Sequence, residues 1–143
     1  MTDDDVRFLR RALELAASAR EGGNPPFGSL LVGRNGTVLL EERNSCVTDA
    51  DITAHPELKL ARWAGSELEP AAAAEATMYT SCQPCDMCTG AIERAGLGRV
   101  VFALSTEQLL ALKPSAPAPS PSVRLDGPAL ADEALVPLQG YYL

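Results

Sequence analysis

A single histidine, His55, is all the imidazole this 143-residue chain has. It also lacks any apolar run approaching the ~20 residues of a membrane helix, so no membrane partner is expected. Positive charge is scarce. Twelve Lys and Arg stand against nineteen Asp and Glu, a formal net charge of −7. Phosphate backbones are bound mainly by Lys and Arg, so nucleic acid is disfavoured as a partner and a small molecule is favoured. Arg7, Arg10, Arg11 and Arg20 cluster near the start, but they read as the solvated face of a helix. The opening Met1-Thr2-Asp3-Asp4-Asp5 is acidic where a secretory leader would be basic and then apolar, which leads us to expect a cytoplasmic protein. There is no internal repeat and no sign of a second domain. A chain this long can bury one core, and residues 1–143 are read as a single domain.

The pattern that is present alternates helix and strand signals. Leu9, Ala12, Leu13 and Ala16 recur at helical spacing over 3–20, with Thr2 and Asp5 as a start signal and Gly22-Gly23 with Pro25-Pro26 as the stop. Gly28 to Gly33 and Thr37 to Glu41 flank Arg34-Asn35-Gly36, the signature of a β-hairpin. Thr53 is expected to cap a helix over 54–64, with Pro56 in its first turn and Gly65 at its end. A strand over 76–81 follows an Ala/Glu-rich stretch. Pro84 then opens a helix to Ala95, and 99–104 reads as a buried strand. Such alternation implies a three-layer α/β/α domain. Residues 113–122 carry too much proline for a regular element and read as an extended loop. Val123 to Leu125 could add a short strand, and 128–136 a last helix within a C-terminal tail, 128–143.

Two segments carry chemistry: Thr53-Ala-His55-Pro-Glu57 and Cys82-Gln-Pro-Cys85-Asp-Met-Cys88. Each opens a predicted helix. Cys85 and Cys88 are i and i+3, so both sulfurs share one face of a first turn, where the helix dipole favours thiolate. His55 can add a nitrogen. Two thiolates and one imidazole leave the fourth tetrahedral position of Zn²⁺ open, as a catalytic site requires. An open zinc site lowers the pKa of water toward neutrality, and Glu57 is near enough to carry protons without being a ligand. A lone Cys-x-x-Cys is also a redox or structural-zinc motif; its company with His55 and Glu57 favours the catalytic reading. Cys82 reads as buried beside the site, Cys46 as a small apolar loop residue, and Trp63 as core.

The His55-x-Glu57 and Pro84-Cys85-x-x-Cys88 pair resembles the cytidine deaminase superfamily. Pro26-Phe27-Gly28, Asn44, Tyr79-Thr-Ser-Cys82 and Cys88-Thr-Gly-Ala-Ile92 are similar to its guanine, cytosine and tRNA-adenosine deaminase branch, over roughly residues 5 to 104. The resemblance implies a cytidine-deaminase-like domain with a mixed five-stranded sheet. It implies zinc on His55, Cys85 and Cys88, with Glu57 as the proton shuttle. Asn44 would hydrogen-bond the base and Phe27 pack near it. Related enzymes close the site with C-terminal aromatics, which makes Tyr141 a candidate contact and the tail a candidate lid. A homodimer is expected on the same ground. Pro56 departs from the family, which usually has Ala there.

The motifs favour hydrolytic deamination of a purine-type base or nucleoside, in the manner of guanine deaminases. Pro-Cys-Asp-Met-Cys-Thr-Gly-Ala-Ile makes cytosine deamination the runner-up. A tRNA editor shares the frame but fits the acidic balance poorly. A catalytically idle zinc-binding partner subunit is the remaining alternative, against which the retained Glu57 argues.

Overall fold

The computed structural model describes residues 1–112 and 123–143, so the proline-rich 113–122 lies outside the described residues. Two compact units divide the chain at residue 113/114. The larger begins with α1 (Asp3–Glu21), capped by Thr2 and Asp5 through a reciprocal capping box. Strands β1 (Gly28–Val32) and β2 (Val38–Arg43) form the expected antiparallel hairpin. Next come α2 (Pro56–Glu67), α3 (Pro70–Glu75) and β3 (Thr77–Cys82). The unit ends with α4 (Asp86–Ala95), β4 (Arg99–Leu104) and α5 (Thr106–Ala111).

The sheet order is β2-β1-β3-β4, antiparallel except for the parallel β3–β4 pair that flanks α4. Four strands, rather than the expected five, are paired among the described residues. Val123 and Leu125 are exposed, and they join no ladder there.

Strand alternation sorts the core into two layers. Leu30, Val32, Tyr79 and Val101 meet Phe8, Leu9 and Ala12 of α1. Leu31 and Met78 point the other way and meet Leu60, Ala61 and Ala64 of α2 and Ile92 of α4. The unit is therefore α1, sheet, then α2 with α4: a three-layer α/β/α arrangement. Trp63 packs against the second layer, as expected of a core residue. Gly28 is needed for the first. A Cβ there would lie 2.5 Å from the backbone nitrogen of Ala16, so only glycine lets β1 approach α1 this closely.

Some local expectations are corrected. Leu13 is half-exposed, and the buried stripe of α1 runs instead through Phe8, Leu9, Ala12, Ala16 and Ala19. Gly65 does not end α2. The helix continues to Glu67 and stops where Leu68 turns extended, just before Glu69 and Pro70, and a proline disfavours helix in the residue preceding it. The Ala/Glu-rich stretch is a helix of its own, α3. Helix α5 was also unforeseen, although Ser105 and Gln108 form a capping box that local sequence displays.

One ion pair, buried on its Asp5 side and half-exposed at Arg99, ties the start of α1 to the sheet. The Asp5 carboxylate, 4% exposed, accepts two hydrogen bonds from the Arg99 guanidinium at 3.0 Å each. It also accepts the Tyr79 hydroxyl at 2.7 Å and the Thr2 N–H at 3.0 Å. On the outer face of α1, Arg7 pairs with Asp4, and Arg11 with Glu14 and Glu41, so these two arginines are neutralised locally.

The smaller unit contains α6 (Ala131–Leu135), continued by a 3₁₀ turn over Val136–Leu138, in place of a helix over 128–136. Tyr141 and Tyr142 meet there edge to face, with ring centroids 4.7 Å apart. Among the described residues no helix is long and apolar enough to cross a membrane.

Candidate metal centre and active site

Helices α2 and α4 pack side by side against the sheet, which brings their N-termini together. Their N-cap residues are His55 and Cys85. Neither makes a side-chain capping bond. Caps are normally Ser, Thr, Asp or Asn, and giving one up costs about 1 kcal/mol. Thr53, expected as the cap of α2, hydrogen-bonds Asp51 instead. Both positions thus hold side chains turned to another task. Pro56 occupies the first turn of α2, where its missing N–H has no cost.

That task is visible in the distances. His55 Nδ1 lies 3.6 Å from Cys85 Sγ and 3.5 Å from Cys88 Sγ, and the three ligand atoms lie within 4.8 Å of one another. In tetrahedral zinc, with typical Zn–N and Zn–S bonds, nitrogen and sulfur are separated by roughly 3.6 Å. The donor set and its spacing therefore fit Zn²⁺, and His55, Cys85 and Cys88 are positioned to bind it through Nδ1 and two thiolates. Cys88 is fully buried, Cys85 is exposed. Burial first, and the nearby Glu57 and Cys85 after it, push the Cys88 thiol above its ordinary range, so metal binding must displace its proton.

A cavity of about 190 Å³ opens beside the three ligands. Phe27, Asn44, Glu57, Cys82, Gln83 and Leu109 are among its walls, with His55 and Cys85 at the metal end. Drug-sized ligands occupy roughly 300–1,000 Å³, so this space suits a small ring. Asn44 is 3% exposed. Its N–H donates to the Phe27 carbonyl at 2.9 Å, linking two cavity walls. Lys59 steadies the same loop from α2, donating to the Arg43 carbonyl and to Ser45.

Glu57 sits in the first turn of α2, buried at the cavity wall. Its Oε1 accepts the hydroxyls of Ser29 at 3.0 Å and Thr80 at 2.9 Å. Those two residues are cross-strand partners in β1 and β3, and their oxygens are 2.7 Å apart.

The structure thus gathers six of the seven residues singled out in the sequence: His55, Cys85, Cys88, Glu57, Asn44 and Phe27. Tyr141 falls in the smaller unit and stays an expectation of the sequence. Cys82 is half-buried beside the site and forms a wall, outside the ligand set. Ser29, Thr80, Gln83 and Leu109 were missed. The signal for the first two was present: a hydroxyl in an otherwise apolar strand invites the question of what it bonds.

Three N/S ligands, a buried carboxylate beside them and a small cavity define the class of zinc-dependent hydrolases that keep an open metal position. Comparison with known proteins specifies it further. Residues 2–104 match the cytidine and deoxycytidylate deaminase zinc-binding region, and the chain belongs to that family. It is 32% identical to a Schizosaccharomyces pombe protein described as "Probable cytosine deaminase", over 99% of this chain and 94% of that one. It is 34% identical to a Haemophilus influenzae tRNA-specific adenosine deaminase, over 71% of this chain and 58% of that one. The X-ray structure of Bacillus subtilis guanine deaminase matches at a TM-score of 0.79 and 30% identity, covering 99% of this chain and 94% of that one. The chain is a hydrolytic deaminase with zinc as its cofactor.

Proposed function

We propose that the substrate is a purine-type base or nucleoside, whose exocyclic amine is replaced by oxygen with release of ammonia. The observation that carries the choice within the family is the pair of guanine-deaminase-like motifs Pro26-Phe27-Gly28 and Tyr79-Thr80-Ser81-Cys82, and the likeness to the guanine deaminase structure supports it. That likeness also supports reading residues 1–143 as one deaminase domain. Cytosine is the second reading, favoured by the equally complete likeness to the S. pombe protein. The net charge of −7 argues for a small substrate over a tRNA.

Zinc, when bound by His55, Cys85 and Cys88, lowers the pKa of water toward neutrality. Glu57 then takes one proton of the attacking water and passes it to the ring nitrogen; it next takes the second from the hydroxyl added to the ring carbon and delivers it to the amine, which leaves as ammonia while the carbonyl forms. Asn44 orients the ring and Phe27 packs near it. A homodimer in the cytoplasm belongs to the same reading; a strictly monomeric mass at assay concentration would count against the dimer.

The test is ammonia release from guanine, cytosine, adenine and their nucleosides, with Glu57→Gln beside the wild type. Turnover should fall at least about 100-fold in the variant. Preference for a purine supports the first reading and preference for cytosine the second. Zinc-loaded protein inert toward every member would favour the idle partner subunit.

A further inference from the structure

Ser29 and Thr80 are both fully buried, and the next inward-facing residues along their strands are the apolar Leu31 and Met78. Two hydroxyls in such a place cost free energy unless they are bonded. Their bonds go to each other and to one carboxylate oxygen, Glu57 Oε1, across three contacts of 2.7, 2.9 and 3.0 Å. Each hydroxyl has one proton. With Thr80 donating to Oε1, Ser29 donates either to the same oxygen or to Thr80, so both protons serve the carboxylate directly or at one remove. The β1–β3 register that pairs Ser29 with Thr80 aims both at the first turn of α2.

We propose that Ser29 and Thr80 are positioning residues that clamp Oε1 of Glu57. The proposal rests on the reading of Glu57 as proton carrier. A carboxylate that must face water, then a ring nitrogen, then a leaving amine loses rate if it swings between rotamers. Pinning one oxygen from below fixes the carboxylate plane and leaves Oε2 for the exchange. Misplacement of a reacting group by about 1 Å can cost 100-fold, which sets the scale of the benefit.

The experiment uses zinc-loaded protein and the best substrate of the panel, comparing wild type, Ser29→Ala, Thr80→Val, Thr80→Ser and Glu57→Gln. Zinc content and melting temperature are measured on each. Thr80→Val should lower kcat about 10- to 100-fold with zinc retained. KM should stay within about 3-fold, and Thr80→Ser should restore kcat to within about 3-fold of wild type. In infrared difference spectra the carboxylate stretch that vanishes in Glu57→Gln should move in Thr80→Val and in Ser29→Ala. Wild-type kcat in both Ser29→Ala and Thr80→Val overturns the clamp, as does an unmoved carboxylate band. A Thr80→Ser variant as slow as Thr80→Val also overturns it, because the hydroxyl is then not what matters. Should Thr80→Val fail to fold, Ser29→Ala decides by the same kcat and infrared criteria. An active Glu57→Gln defeats the parent reading, whereas an inactive Glu57→Gln beside fully active hydroxyl variants defeats the clamp alone.

Discussion

The side-chain oxygen of Asn44 accepts the backbone N–H of Cys46 at 2.9 Å. The turn thereby fixes which end of the amide is available. The oxygen is engaged, and the NH₂ is the group Asn44 has left to offer the cavity, where it would meet an acceptor on the bound ring. Asn44→Asp keeps the turn but removes that donor. It should lower kcat/KM by about tenfold or more, the value of one substrate hydrogen bond, with zinc content unchanged. Steady-state kinetics check this. Wild-type kcat/KM in Asn44→Asp would take Asn44 out of substrate recognition.

The metal centre makes a separate prediction. Cys88 is the buried ligand and joins α4 to the metal, so Cys88→Ala should abolish stoichiometric zinc and lower the melting temperature. Chelation of the wild-type protein should lower it in the same direction. Elemental analysis and calorimetry provide the readout, and full zinc occupancy in Cys88→Ala would show that the ligand set is wrong.

The Asp5 pair predicts how stability depends on pH. Hydrogen bonds from Arg99, then from Thr2 and Tyr79, hold the Asp5 carboxyl far below the usual carboxylate range. A depressed carboxylate contributes stability above its unfolded pKa, about 3.9, and loses it as pH falls below that value. Burial first, and the bond to Asp5 second, push Tyr79 up to about 12. A raised tyrosine acts in the opposite sense, and its contribution is complete below the unfolded pKa of about 10 and lost as pH rises through about 12. Asp5→Asn weakens the bonds to a half-exposed Arg99, which water can solvate, and should cost about 1.5 kcal/mol at neutral pH. The deficit should shrink on acidification below about pH 4. Urea unfolding at several pH values tests it; a pH-independent difference would assign the cost to packing rather than charge.

Much of the fold was legible because its signals are local. The capping box of α1, the Asn-Gly hairpin and the strand–helix–strand run through α4 rest on short-range steric and hydrogen-bonding signals. At two places a competing local signal decides the structure. Gly65 lost to the proline that follows, and the Ser105–Gln108 box announced a helix that was not foreseen.

The sequence by itself determined the metal chemistry. Few residue types bind zinc, and the lone His55 with Cys85 and Cys88 leaves little choice of ligands. Glu57 two positions on supplies the carboxylate. Only the tertiary structure decided what surrounds that chemistry. Ser29 meets Thr80 through strand register, Leu109 reaches the cavity from α5, and Leu13 faces solvent because α1 turns its stripe toward Phe8. The physical reason is that ligand identity is a property of single side chains, whereas register and helix rotation are settled jointly by every contact across the core.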